Sequence, residues 1–132
     1  AARADLFAGR PWVIVPGAGA SSADADRVRE LVSVCSAQVV VLDAVEHDRA
    51  VAAISHLPLV VAAALVEAVA GTPDDERPVW PLAERLAAGG WASATRVARG
   101  DPAMGAAIAV TNAPILAGRI RDLQDEPDYR AA

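Results

Sequence analysis

The 132-residue sequence has a single cysteine, no lysine, no cluster of basic residues and no apolar run near the length of a bilayer span. One cysteine, Cys35, cannot close an internal disulfide, and no charged, apolar and small-residue leader opens the chain, so a cytoplasmic setting is the expectation. The thiol itself reads as a buried apolar filler. With 17 acidic and 12 basic residues the net charge is −5, and no positive patch is available to neutralise phosphates, which argues against nucleic acid or an anionic membrane as partner. The longest apolar run, residues 57–66, is half the roughly 20 residues a spanning helix needs and contains Pro58, so no transmembrane segment is expected. All twelve basic residues are arginine and alanine is abundant, a pattern of GC-rich coding that carries no mechanistic weight.

What is present is apolar enough to fold. Hydrophobic residues make up 54% of the chain against 22% charged, with a mean hydropathy of +0.28, which implies a buried core in one ordinary domain or two small pieces. The first residue is Ala1 and not methionine, which suggests a processed start or a part of something longer. Residues 11–16, bounded by prolines, read as a strand. Residues 23–36 carry Val28, Leu31, Val32 and Cys35 at helical spacing behind Asp24 and Asp26, with Ser21 or Ser22 as N-cap. Residues 38–43 are a second continuous apolar run, of the kind found where both faces of a parallel sheet are covered.

Beyond Asp43 the sequence turns alanine-rich and helical, which predicts an α/β segment followed by an all-helical one. Residues 45–57 and 58–70 read as two helical stretches with a break or kink at Pro58, which lacks an N–H and would clash with the carbonyl of Ile54. The second stretch is apolar nearly all round and needs cover on several sides. A polar turn over residues 71–78, a short helix over 81–88 stopped by Gly89 and Gly90, and a last helix from Asp101 (N-cap) and Pro102 to about Leu123, bent at Pro114, complete the reading. The tail from Asp125 is expected to fray.

Three motifs carry candidate chemistry. Gly17, Gly19 and Ser22 lie between a strand and a helix, with Asp43 ending the next strand, which mimics a dinucleotide fingerprint whose third glycine is replaced by Ser22; the alternative is an ordinary glycine turn. His47 and His56 are nine residues apart and face opposite ways on a continuous helix, with no third ligand near, so no metal site is expected. His47, between Glu46 and Asp48, reads as a surface residue. His56, beside the break at Pro58, is either a ligand-binding residue or a satisfied core histidine. Arg96, in a polar patch over residues 93–102, suits bidentate grip of a carboxylate or else pairs with Asp101 as a helix-end arginine.

Residues 6–16, Glu46-His47-Asp48, Ser55-His56-Leu57-Pro58, Thr95-Arg96, Asp101-Pro102 and Asn112 resemble, in order and spacing, the later part of prephenate dehydrogenases, a family that includes the arogenate dehydrogenases of tyrosine biosynthesis. The resemblance covers nearly the whole chain. It implies that residues 1–43 are the C-terminal end of a Rossmann-type nucleotide-binding α/β domain and residues 44–132 a helical domain for substrate binding and dimerisation, in a homodimer. It implies oxidation of prephenate or arogenate by NAD or NADP, with loss of the ring carboxylate. The cofactor would be bound mainly by a region upstream, where the catalytic histidine also lies. No catalytic residue is therefore expected here, and the chain alone should be inactive.

By the same resemblance Arg96 is the ligand of a substrate carboxylate, and His56 and Ser55 line or orient its pocket. His47 and Asp48 would start the helix that carries them, and the loop at Gly17 and Gly19 would not hold pyrophosphate. Two departures bear on substrate choice: Leu59 stands where many relatives have a second histidine, and Gly105 where many have tryptophan. Two other readings are kept: a non-catalytic helical dimerisation or regulatory module that binds an aromatic metabolite, and a small nucleotide-binding protein using Gly17, Gly19 and Asp43.

Overall fold

The computed structural model describes residues 3–71 and 79–125. The turn expected over 71–78 lies, apart from Gly71, outside the described residues, as does the tail beyond Asp125. The chain forms two compact units, Ala1–Asp48 and Arg49–Ala132. The division thus falls a few residues beyond the expected boundary at Asp43, inside a helix.

In the first unit, strand β1 (Pro11–Ile14), helix α1 (Ser22–Val34) and strand β2 (Gln38–Val41) follow one another, and the strands pair in parallel with Pro11 opposite Gln38 and Ile14 opposite Val41. Helix α1 starts where it does because Ser21 and Asp24 form a capping box: the Asp24 N–H donates to Ser21 Oγ at 3.2 Å and the Ser21 N–H to Asp24 Oδ2 at 3.1 Å. It ends at Ser36, which takes a left-handed φ of 53° while the Ala37 N–H reaches back to the Val32 carbonyl. Cys35 is only partly buried and serves as the C-cap residue, so it is not the core filler expected. Helix α1 packs on the strand pair and buries Val32 completely. The apolar strands are less covered than their composition suggested, with Val13, Val39 and Val41 exposed at 40–46%.

From Ala44, at the end of the first unit, the described chain is helical. Helix α2 (Ala44–Val51), a π-helical turn (Ala52–His56) and helix α3 (Leu57–Ala70) run as one helix of 27 residues, so the break or kink expected at Pro58 takes the form of a local distortion and the chain does not break there. The helix widens instead. The Leu57 N–H donates to the Ala52 carbonyl five residues back, a looser turn that accommodates the proline ring and its missing donor without ending the helix. Pro58 therefore no longer argues against a span: by length and composition alone Ala44–Ala70 is able to cross a membrane, and the same properties suit a helix covered by other helices.

Helix α3 is flanked by α5 (Gly89–Thr95), a 3-10 turn (Arg96–Arg99) and α7 (Ala113–Asp125), around a core of Ala52, Ala62 and Leu116 with the polar Thr95 and Asn112. Helix α4 (Trp80–Leu86) ends before the double glycine, and Gly89 opens α5 where a stop was expected. Helix α6 (Pro102–Thr111) is capped by Asp101, whose carboxylate accepts from the Ala103 N–H at 2.8 Å. The expected bend at Pro114 is close to a right angle: α6 and α7 lie 93° apart across Asn112, and Pro114 sits in the first turn of α7, where its missing N–H costs nothing.

Candidate functional site around His56, Asn112 and Arg96

His56 closes the π turn and is half-buried, with its Nδ1 at 3.2 Å from Nδ2 of Asn112. An amide nitrogen only donates, so in this pairing Nδ1 accepts and the ring proton sits on Nε2. Asn112 is 6% exposed and occupies the joint between α6 and α7. One side chain thereby ties the widened helix to the bent one. Asn112 was part of the recognised pattern, yet nothing in the sequence assigned it this partner, 56 positions away.

Arg96 opens the 3-10 turn, which packs along α3, and its side chain is exposed. Among the described residues its guanidinium has no ion-pair or hydrogen-bond partner. Asp101 is engaged as the cap of α6, so the alternative of an arginine paired with Asp101 does not hold for Arg96 or Arg99. Ser55 lies exposed on the π turn. No hydrogen bond joins Ser55, His56 and Arg96 to one another among the described residues. A cavity of about 410 Å³ opens beside them, lined by their neighbours Leu59, Val60, Val97, Ala98 and Gly105 and not by the three themselves. His47 belongs to the first unit, with Nδ1 at 3.0 Å from Asp48 Oδ1. Among the described residues no three His, Cys, Asp or Glu side chains converge as a metal site would need.

The residues of the first unit do not fit a nicotinamide dinucleotide. Asp43 has the place of a ribose-binding carboxylate, but its Oδ1 accepts the Glu46 N–H at 2.8 Å while its own N–H donates to Glu46 Oε2, a capping box for α2. At the start of α1, where pyrophosphate would sit, the Asp24 carboxylate already holds the site. The Ser21 hydroxyl, and then the Ser21 N–H, keep that carboxyl below the usual range. An anion there meets another anion. The reading of Gly17, Gly19 and Asp43 as a nucleotide site is corrected accordingly.

The sequence matches the prephenate dehydrogenase dimerization domain over residues 43–128. The chain belongs to the prephenate dehydrogenase family. Among curated relatives, a probable prephenate dehydrogenase of Streptomyces niveus, NovF, is 51% identical over 75 residues, 54% of this chain and 21% of that protein. Among solved structures, the arogenate dehydrogenase of Synechocystis superposes with a TM-score of 0.76 at 31% identity, covering 95% of this chain and 44% of that one. The prephenate dehydrogenase of Aquifex aeolicus, solved with hydroxyphenyl propionate and NAD+, gives 0.75 at 24% identity over 95% of this chain and 42% of that one, a likeness of fold. The chain thus spans less than half the length of these relatives.

Measured against the family pattern, the two departures prove to be neighbours. A Cβ built on Gly105 would lie 3.7 Å from Cδ2 of Leu59, and both residues line the 410 Å³ cavity. They are 46 positions apart in the chain, so no local signal pairs them.

Proposed function

We propose that the complete protein is a prephenate or arogenate dehydrogenase that uses NAD or NADP, and that this chain supplies its helical dimerisation domain with one wall of the substrate pocket. The observation that carries the reading is the guanidinium of Arg96, exposed and without an ion-pair or hydrogen-bond partner among the described residues, on a turn that packs along α3 in a chain of this family. Arginine offers a planar fork to a substrate carboxylate. His56, oriented by Asn112, presents its Nε2 proton to the same ligand, and Ser55 adds a hydroxyl one residue earlier. The nicotinamide, when bound, accepts a hydride, and its binding residues lie chiefly in a segment N-terminal to this chain, to which residues 1–43 form the last strands. The relatives extend well beyond the matched portion, which supports that assignment.

The enzyme is a cytoplasmic homodimer, as suits a bacterial biosynthetic family whose matched domain is one for dimerisation. The second copy covers the apolar circumference of α3, where Val61 and Leu65 stand exposed. In the full-length enzyme, Arg96→Ala should raise KM for prephenate or arogenate by about ten- to a hundredfold, the loss of a charged hydrogen-bonding pair, with cofactor KM nearly unchanged. Steady-state kinetics with each substrate and each cofactor decide it. An unchanged substrate KM returns Arg96 to a structural role, while absence of any turnover in the wild-type enzyme removes the dehydrogenase reading itself.

A further inference from the structure

A second cavity, of about 370 Å³, lies toward the C-terminal end of α3, between Val66 and Ala70 of α3, Trp80 of α4, Trp91 and Thr95 of α5, and Ala98 and Arg99 of the 3-10 turn. Its size is in the range of small-molecule sites. The two indoles stand with ring centroids 5.6 Å apart at 41°, a tilted pair that leaves ring surface toward the cavity. Thr95 has no proton to give a ligand carboxylate, because its hydroxyl donates to the Trp91 carbonyl at 2.8 Å. The one charged group is Arg99. It has no ion-pair or hydrogen-bond partner among the described residues, no ring stacks on it, and the nearby Asp101 is occupied as a helix cap.

Apolar walls, two indole faces and a single unneutralised guanidinium define a ligand: a flat ring with a carboxylate at one end. We propose that the Trp80/Trp91/Arg99 cavity is a binding site for a small aromatic carboxylate, separate from the Arg96 site. The ring is sandwiched by apolar surface against the indoles, and the carboxylate takes the paired N–H groups of Arg99. A cationic or neutral ring would leave Arg99 without a partner.

The test uses the full chain with Trp12→Phe, so that fluorescence comes from Trp80 and Trp91 alone, titrated with 3-(4-hydroxyphenyl)propionate and, in parallel, with the uncharged 4-ethylphenol. Saturable quenching by the carboxylate, at least about tenfold tighter than by the phenol, is the expected result. Arg99→Gln should weaken the carboxylate by about tenfold or more, Arg99→Lys should recover part of that loss, and Arg96→Gln should leave the titration unchanged. Quenching that is absent, insensitive to Arg99, or abolished by Arg96→Gln overturns the proposal. Because Arg99 is exposed, its variants keep the fold, which circular dichroism verifies.

Discussion

Two prolines interrupt two helices of the second unit, and the chain answers them differently. At Pro58 the helix widens by a π turn and continues to Ala70. At Pro114 it stops at Asn112 and restarts 93° away. The difference follows from what each segment touches. The Pro58 turn is packed on α7 and on α3's own neighbours, so ending the helix there would strip cover from an already apolar α3. The residue before Pro114's helix is an asparagine, which leaves the helix at φ −114° and ψ 23° and has a side chain able to bond elsewhere. Its amide bonds His56, at the end of the π turn, so the two distortions hold each other.

Asn112→Ala cuts that link and should have the largest effect. It leaves the ring nitrogen of His56 without its donor in a half-buried place, for a loss of about 1–3 kcal/mol in denaturant unfolding. Equal stability would mean that the joint is set by the prolines alone. Pro114→Ala should cost less, about 0.5–1 kcal/mol, because it frees the unfolded chain while Asn112 still directs the turn. Pro58→Ala sharpens the contrast from the other side. Restoring the missing N–H lets the turn tighten to α geometry, so the melting temperature should hold or rise while His56 withdraws from Asn112 and substrate affinity of the complete enzyme falls.

The most local change belongs to the first unit. Ser21→Ala removes the N-cap of α1 at a cost of about 1 kcal/mol, measured by thermal unfolding at neutral pH. The capping carboxyl of Asp24 is lowered by its bonds to Ser21, so its contribution is fully present above the ordinary aspartate pKa of about 4 and fades as pH falls through the lowered value. The difference between wild type and Ser21→Ala should therefore shrink on acidification; a constant difference would place the stabilisation in the hydroxyl alone.

How much of this was legible in the sequence depends on the range of the interaction. Helix α1 is decided by Ser21, Asp24 and an apolar stripe within four turns, and it forms close to where those signals place it. The strand pair was visible as two apolar runs. Helix α5 was not, because Gly89 and Gly90 signal a stop when read alone, although glycine is tolerated at a helix's first positions. The π turn was invisible for a related reason: a proline forbids an α bond but does not say whether the chain breaks or widens, which packing on α3 and α7 decides. In the candidate site Arg96 and His56 were singled out from their local context and Ser55 through the family resemblance, whereas the Asn112 bond and the facing of Leu59 and Gly105 arise only when distant segments fold together.

A π turn holds one residue more than the α-helix it interrupts, yet leaves the helix on either side able to keep its phase. The stretch Ala52–His56 is therefore the place in this long helix where chain length is negotiable. Deleting a residue elsewhere between Ala44 and Ala70 would rotate every following side chain by about a quarter-turn. Deleting one here, with Pro58 exchanged for alanine, would close the turn and preserve the faces of α3. Homologues that differ in length by one residue should carry their gap beside the Ser55-His56-Leu57-Pro58 signature, and those without the extra residue should lack the proline.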